Sequence, residues 1–224
     1  MHHNTVLDDS GVWQSPLSAR YDDVAPTWHQ VVTKLGYDSA YRAVFEQLKA
    51  GNSSIDKRKK TLSVLDIGIG SGSLTEALLS TDTDTAWSLH GVDISRAMLT
   101  QARATVAGYG YRLRTKRASV TTLPYEDNQF DMVMSAHVLE HLDTPLQGIQ
   151  EMTRILKPTG KLLLICTRQG IWGQWIRHKW GIHPVTKHML QTALSHHGIV
   201  NSRFVPVGHL WHRWASLAII GTKP

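Results

Sequence analysis

The chain contains 224 residues, of which 42% are hydrophobic, and carries a formal net charge of +6. This length suits a single domain with a sizeable core, and no apolar run is long enough to predict a transmembrane helix. Cys166 is the single cysteine, which excludes an internal disulfide. The residues after Met1 lack the basic and then apolar pattern of a signal peptide. We therefore expect a cytoplasmic protein.

Part of the positive charge lies in one basic run, residues 57–60. Such a run is typical of a solvated loop. Attraction to nucleic acid or to an anionic lipid surface is the alternative, but no RNA- or DNA-binding module accompanies the run. We therefore do not expect a nucleic acid partner.

The first 60 residues are predicted to form a polar arm followed by cap helices. Residues 1–20 are polar and aperiodic, which is typical of a poorly ordered segment. Apolar residues then recur at helical spacing through 21–50, and Gly36 or Asp38 should break this stretch into two helices. A loop follows, and the main domain is expected to cover 61–224.

From residue 62 onward, strands and helices are predicted to alternate. The expected strands are the apolar runs 62–67, 87–92, 130–136 and 161–167, with a weaker strand at 112–118. Runs that are buried on both faces are typical of parallel sheets covered by helices. The expected helices are 73–80, 95–106, 144–156 and 186–197. The end of the chain predicts two further strands, 202–208 and 214–222.

The first predicted strand of the main domain runs into a glycine-rich turn, with Gly68, Gly70 and Gly72 at alternate positions. Glycines let the backbone turn tightly and leave no Cβ between chain and ligand. The helix behind the turn directs its N-terminal N–H groups at the cleft. A dinucleotide fingerprint would need its third glycine at Ser73. Asp93 ends the next strand, where a carboxylate can accept both ribose hydroxyls of an adenosine. The sequence therefore predicts a cofactor site.

Four motifs occur in the order and spacing of a known family: 64–72 (VLDIGIGSG), 91–95 (GVDIS), 123–142 (LPYEDNQFDMVMSAHVLEHL) and 156–165 (LKPTGKLLLI). With them the chain resembles the class I S-adenosylmethionine-dependent methyltransferases, and most closely their small-molecule, methyltransferase type 11-like branch. The resemblance implies an α/β fold with a Rossmann-like, doubly wound, seven-stranded, mostly parallel sheet and a C-terminal antiparallel hairpin. It implies S-adenosyl-L-methionine as cofactor, bound by Tyr21, Asp66, Gly68, Gly70, Gly72, Asp93, Ile94, Ser119, Val120 and Ala136.

Three of the implied contacts have specific alternatives. Asp66, at the strand end, could instead cap the helix beside the turn. Ser119 stands where the family usually has an acid that meets the adenine amino group, and a serine can hydrogen-bond the adenine edge but carries no charge. The alternatives are a lower cofactor affinity or a contact from a neighbouring backbone N–H. Tyr21, together with Trp28, is expected to close over the cofactor, with core packing as the alternative.

The sequence from His137 to His141 has the H-x-x-E-H pattern of inverted zinc peptidases. On a helix these two histidines would share one face, which suits two zinc ligands. The motif follows a buried strand and no third ligand is evident downstream, so we expect no metal site. The alternative is a helix start at which His137 lines the cleft and serves as a general base, while His141 is structural. His183 and His209 are the other candidates for the base.

Residues 168–185 interrupt the alternation of strands and helices. They follow a predicted strand, and ligands in open α/β sheets bind outside the carboxyl ends of the strands. The segment is therefore a candidate substrate wall, in which Trp172, Trp175 and His183 contact a small, partly apolar or lipid-like acceptor. Its interleaved aromatic and basic residues also suit peripheral contact with a membrane. Simple cover of the sheet edge is the alternative.

Two other functions stay open on the sequence. One is an RNA or protein methyltransferase, which is supported by charge alone and lacks an N-P-P-Y-like motif. The other is a non-catalytic cofactor-binding interaction protein. The sequence leaves the oligomeric state undetermined.

Overall fold

A computed structural model describes residues 6–7, 13–50, 61–170, 181–183, 185–208 and 211–224. The basic run at 57–60 lies outside these residues. So do Trp172, Trp175 and His209. Within the described part of the chain, no helix is long and apolar enough to cross a membrane.

A seven-stranded sheet forms the centre of the protein. In chain order, the strands of the described residues, inside and outside this sheet, are β1 (Val6–Leu7), β2 (Trp13–Gln14), β3 (Leu62–Ile67), β4 (Trp87–Asp93), β5 (Leu113–Arg117), β6 (Phe130–Ala136), β7 (Leu156–Thr167), β8 (Val200–Val205) and β9 (Ser216–Thr222). β1 and β2 form a separate two-stranded ribbon, and the others lie in the order β5-β4-β3-β6-β7-β9-β8. Neighbours from β5 to β7 pair in parallel, whereas β9 pairs antiparallel with both β7 and β8. The predicted fold class is therefore confirmed.

Helices cover both faces of the sheet. They are α1 (Pro16–Lys34), α2 (Tyr37–Ala50), α3 (Ser73–Thr81), α4 (Arg96–Ala107), α5 (Pro145–Ile155), α6 (Lys187–His196) and the short α7 (His212–Ala215). Side chains alternate along the central strands: Val64 joins one apolar core with α2, α3 and α4, whereas Leu65 joins the other with α5 and α6. This two-sided burial is why β3 reads as a continuous apolar run.

Three boundaries differ from the sequence-based prediction. The polar arm expected at 1–20 is too long, because α1 begins at Pro16 behind a capping box formed by Ser15 and Ser18. The strand expected at 161–167 begins at Leu156, since that residue already pairs with β6 before an irregularity in register. The strand expected at 202–208 ends before Pro206, which cannot donate to a ladder.

The break between the two N-terminal helices lies at one of the two predicted positions. Gly36 adopts a φ of +75°, which a residue with a side chain rarely tolerates. The chain reverses there and allows α1 to pack along α4. As a result α1 reaches the edge of the sheet at which β3, β4 and β6 end.

Candidate active site

The glycine-rich turn follows β3, and its three glycines have different surroundings. All have positive φ, at +65° for Gly68, +53° for Gly70 and +91° for Gly72. A Cβ on Gly68 would lie 2.1 Å from the Val138 side chain, and a Cβ on Gly72 would press on the backbone of α4. A Cβ on Gly70 would meet nothing nearer than the Trp28 indole nitrogen, at 3.7 Å. Gly70 is therefore the glycine beside which the cleft has room for a ligand.

Asp93 ends β4 and faces this turn. Its Oδ2 accepts a hydrogen bond from the Gly70 N–H and its Oδ1 one from the Ser95 N–H, each at 2.9 Å. Burial raises the pKa of the Asp93 carboxyl to about 6, although hydrogen bonds from the backbone, with those of Ser95 and Gly70 foremost, act against that rise. A carboxylate has about four acceptor sites, so Asp93 can accept from ribose hydroxyls as well as from its backbone partners.

Asp66 lies at the end of β3 but serves the start of α3. Its carboxylate accepts the Thr75 hydroxyl at 2.7 Å and is 1% exposed. Burial raises the pKa of Asp66 to about 7, and the hydrogen bond from Thr75 opposes that rise. This is the arrangement of the helix-capping alternative. A cofactor contact of Asp66 stays a prediction.

Helix α1 lies across the mouth of the cleft. The Tyr21 hydroxyl is 3.1 Å from His141 Nε2, and its ring meets Trp28 edge to face at 5.8 Å between centroids. Burial, and then the nearby charges of Asp93 and Glu140, raise the pKa of Tyr21 above its ordinary range. Trp28 lies beside Gly70, and Tyr21 packs against Trp28. That these two residues close over a cofactor stays a prediction.

An acid that the sequence did not single out fixes α1 in this place. Asp22 Oδ1 accepts the Ser95 hydroxyl at 2.5 Å and the Ala97 N–H at 3.2 Å, at the start of α4. Further along, the Gln101 side chain donates to the Ala25 carbonyl. An acid beside a helix N-terminus is a recognisable pattern. Asp22 forms it only because the fold brings α1 to the start of α4, so the sequence alone did not indicate it.

Ile94, Ser119, Val120 and Ala136 are four further residues predicted to bind the cofactor, Ser119 at the adenine. The Ser119 hydroxyl lies 2.8 Å from the Thr121 hydroxyl and accepts the Thr121 N–H at 3.3 Å. Val120 is buried among the apolar residues of the α5 side, and Ala136 ends β6 half-buried. The Ile94 carbonyl accepts from Arg117 at 2.7 Å. Roles for these four residues toward a cofactor stay predictions.

His137 lies immediately after β6, at the same edge of the sheet. Its φ of +58° is unusual for a residue with a side chain, and its N–H donates to the Ile165 carbonyl at 2.7 Å. Its Nδ1 lies 3.0 Å from Glu140 Oε1 and 3.1 Å from the Thr167 hydroxyl. Its Nε2 is buried and has no hydrogen-bond partner among the described residues.

The expectation of a helix beginning at His137 is wrong. The chain forms a single 3-10 turn, Leu139–His141, after the left-handed residue. His137 therefore faces Glu140, whereas His141 faces Tyr21, and the two imidazoles do not share one helical face. In the part of the chain that the structure describes, no three His, Cys, Asp or Glu residues are arranged so that they could hold a metal ion.

Glu140 and Thr167 are the members of this site that the sequence did not indicate. Glu140 is 1% exposed, and its Oε1 accepts the N–H and the hydroxyl of Thr167 at 2.8 and 2.6 Å. Burial opposes ionisation, but hydrogen bonds and charge from His137, together with the bonds from Thr167, hold the pKa of Glu140 down at about 2. The H-x-x-E-H pattern was the available signal, although it suggested a metal.

Of the predicted substrate residues, the structure describes His183. This residue is exposed, and its N–H donates to the Glu140 carbonyl at 2.7 Å. The neighbouring Ile182 is 2% exposed. The Gln169 N–H donates to the Val185 carbonyl, which ties the two ends of the inserted segment together. The segment thus leaves and rejoins the carboxyl edge of the sheet beside the 3-10 turn.

The described residues suit a cofactor that carries an adenosine and a charged tail. Asp93 offers acceptors for ribose hydroxyls, and the backbone at Gly70 is free of a Cβ where a ligand would approach. The N-terminus of α3 favours negative charge, such as the carboxylate of an amino acid.

Comparison with known proteins points to one family. A family profile described as a methyltransferase domain matches residues 65–164. The ubiquinone/menaquinone biosynthesis C-methyltransferase of Hahella chejuensis is 30% identical over 69% of this chain and 64% of its own length. The demethylmenaquinone methyltransferase of Clavibacter sepedonicus is 28% identical over 66% of this chain and 56% of its own length. The chain thus spans between half and two thirds of these curated relatives.

A solved structure shares the fold over nearly the whole chain. Magnesium protoporphyrin IX methyltransferase from Synechocystis PCC 6803, with bound SAH, superposes with a TM-score of 0.71 at 17% identity. The superposition covers 93% of this chain and 98% of that protein. The family profile, the relatives and the shared fold all agree with the cofactor site that was predicted from the glycine turn and Asp93. The chain therefore belongs to the class I S-adenosylmethionine-dependent methyltransferases, whose cofactor is S-adenosyl-L-methionine.

Proposed function

We propose that the protein transfers the methyl group of S-adenosylmethionine to a small, at least partly apolar or aromatic acceptor. The observation that carries this proposal is the inserted segment 168–185, whose described ends are bonded beside Glu140 and His137. A substrate wall at this edge would bring its side chains to the place where methyl transfer occurs.

The bound cofactor supplies the methyl group and a neutral leaving group. The protein has to hold donor and acceptor in line and, where the acceptor needs it, remove a proton. The turn at 68–72 and Asp93 would hold the cofactor, with Tyr21 and Trp28 covering it. His137 is the general base in this proposal, since it lies at the carboxyl edge of β6 beside that turn.

The composition of the segment supports an apolar acceptor. It interleaves Trp172 and Trp175 with basic residues, which suits either the wall of an apolar pocket or contact with a membrane that presents a lipid-like acceptor. Two relatives are named for methylation in quinone biosynthesis, and the solved structure is named for a porphyrin. These names refer to ring-containing acceptors and support the same class here.

A screen with labelled S-adenosylmethionine against lipid-extract, polar-metabolite, RNA and protein fractions would test this function. We expect transfer to the lipid or aromatic small-molecule fraction. Transfer confined to RNA or protein would contradict the proposal, and cofactor binding without transfer to any fraction would favour a binding protein.

The role of the segment is tested by changing Trp172 and Trp175 together to alanine. We expect cofactor affinity to survive and acceptor turnover to fall. Trp214→Ala is the matched control, because that tryptophan is 68% exposed and lies outside the segment. Co-sedimentation with liposomes, with and without anionic lipid, tests the membrane version. If the double variant unfolds and the parent protein does not co-sediment with liposomes, the segment only covers the sheet edge.

A further inference from the structure

Glu140 is a buried carboxylate that takes no part in the proposed cofactor site. It is 1% exposed, and its Oε1 receives the N–H and hydroxyl of Thr167 and faces His137 Nδ1. Its Oε2 has no hydrogen-bond partner among the described residues. Burying a carboxylate is costly unless it is paired. A glutamine could accept the same bonds from Thr167 without a charge, so the fold alone does not require an acid here.

The hydrogen bonds around Glu140 determine which nitrogen of His137 carries a proton. An ionised carboxylate can only accept. The Thr167 hydroxyl already donates to Oε1 at 2.6 Å, so its proton is not directed at the imidazole. His137 Nδ1, which lies 3.0 Å from Oε1, must therefore be the donor. In the neutral ring the lone pair is then on Nε2, which can accept a proton.

The backbone and a neighbouring ring hold His137 in this orientation. Its N–H is bonded to β7 and its φ is left-handed, at +58°. The Tyr37 ring stands nearly perpendicular to the imidazole, at 5.3 Å between centroids. The next residue, Val138, contacts Gly68 of the cofactor turn. The imidazole is thus held in one orientation, on the residue next to the one that contacts the cofactor turn.

We propose that Glu140 is a positioning residue that fixes the tautomer of His137, so that Nε2 takes the proton from an acceptor O–H or N–H group. This rests on the proposed function and deepens it. The acceptor oxygen or nitrogen loses its proton to Nε2 and forms a bond to the methyl carbon. The carbon–sulfur bond breaks, and its electron pair goes to sulfur. Glu140 stabilises the resulting imidazolium, whose proton then passes to water.

Other ionisable groups surround this pair and must be considered in any pH profile. Glu140 and His141 belong to the 3-10 turn, and Tyr37 faces His137 from α2. From α1, Tyr21 contacts His141, and the charge of Arg20 acts on both Tyr21 and His141. Of these, Glu140 is the carboxylate in contact with His137, so its neutralisation should have the largest effect on the imidazolium.

Nitrogen-15 NMR of histidine-labelled parent protein tests the tautomer without an acceptor. The signals of His137 are assigned by their absence from the spectrum of His137→Gln. In the neutral imidazole of His137, Nδ1 should carry the proton and Nε2 should carry none. Neutral His137 with a protonated Nε2 and a bare Nδ1 would overturn the proposal. This measurement needs no Glu140 variant to fold, and its result does not depend on the methyl acceptor.

Glu140→Gln then separates positioning for catalysis from a purely structural role. With an acceptor found in the screen, we expect kcat to fall about 100-fold or more, while KM and cofactor affinity stay within about twofold. The acidic limb of the pH–rate profile should move to lower pH, because the imidazolium loses its partner charge. Glu126→Gln, at an exposed position, is the control.

Unchanged kcat and an unmoved pH limb in folded Glu140→Gln would overturn the role in catalysis. If the parent methylates nothing, the proposed function fails, whereas the NMR result still decides whether Glu140 sets the tautomer. The two failures are therefore distinguishable.

Discussion

Replacing Asp93 by alanine should weaken cofactor binding strongly in a protein that still folds. In the parent, Asp93 is 8% exposed, and we propose that two ribose hydroxyls donate to its carboxylate. Loss of two charge-assisted hydrogen bonds costs about 2 to 4 kcal/mol of binding free energy. This corresponds to a rise of roughly 30- to 700-fold in Kd.

The same change also affects the fold. The N–H groups of Gly70 and Ser95 lose their acceptor, and each donor left unpaired costs about 1 to 3 kcal/mol of stability. Urea denaturation should therefore show a lower free energy of unfolding. Calorimetric titration with S-adenosylhomocysteine has to be made well below the unfolding transition, so that weak binding is not mistaken for unfolding.

Asp84→Ala is the matched control, because that side chain is 74% exposed and lies in the loop between α3 and β4. We expect it to leave both Kd and the free energy of unfolding nearly unchanged. If folded Asp93→Ala binds S-adenosylhomocysteine as tightly as the parent, the assignment of Asp93 to the ribose is refuted.

Three further predictions concern the glycine turn, pH and metal. Gly68→Ala should destabilise the fold strongly, because its Cβ would lie 2.1 Å from Val138 in addition to the strain of a positive φ. Gly70→Ala has the strain of its φ without such a clash, so it should lose less stability, fold, and bind cofactor more weakly. Urea denaturation and calorimetry separate the two effects, and the opposite pattern would contradict the assignment. Burial raises the pKa of Asp93 to about 6, and ribose donors favour its ionised form. Cofactor affinity should thus fall roughly tenfold per unit as the pH drops below that value, and a flat profile would count against this. Elemental analysis should find no stoichiometric zinc, and zinc that is lost in His141→Ala would disprove that expectation.

The elements that carry the fold were predictable because their signals are local. β3 packs apolar side chains on both faces, so that Val64 and Leu65 serve separate cores and the run is recognisable as a buried strand. The turn behind β3 was equally evident from alternate glycines. Boundaries were less certain, since pairing of Leu156 with β6 depends on a partner distant in sequence.

The catalytic edge was less predictable because it depends on tertiary contacts. The H-x-x-E-H motif was interpreted on a helix that starts at His137, but the chain adopts a left-handed residue there and then a 3-10 turn. That conformation turns the imidazole toward Glu140 and Thr167, on the end of another strand. Likewise Asp66 has the position of a cofactor acid, yet its nearest donor is Thr75.

A crystal structure with S-adenosylhomocysteine bound tests the central claim most directly. We predict the ribose hydroxyls on the Asp93 carboxylate, the amino acid part against the turn at Gly70, and the sulfur on the side of the cleft that holds His137. A ribose bound away from Asp93, or an empty cleft at a saturating ligand concentration, would contradict the account.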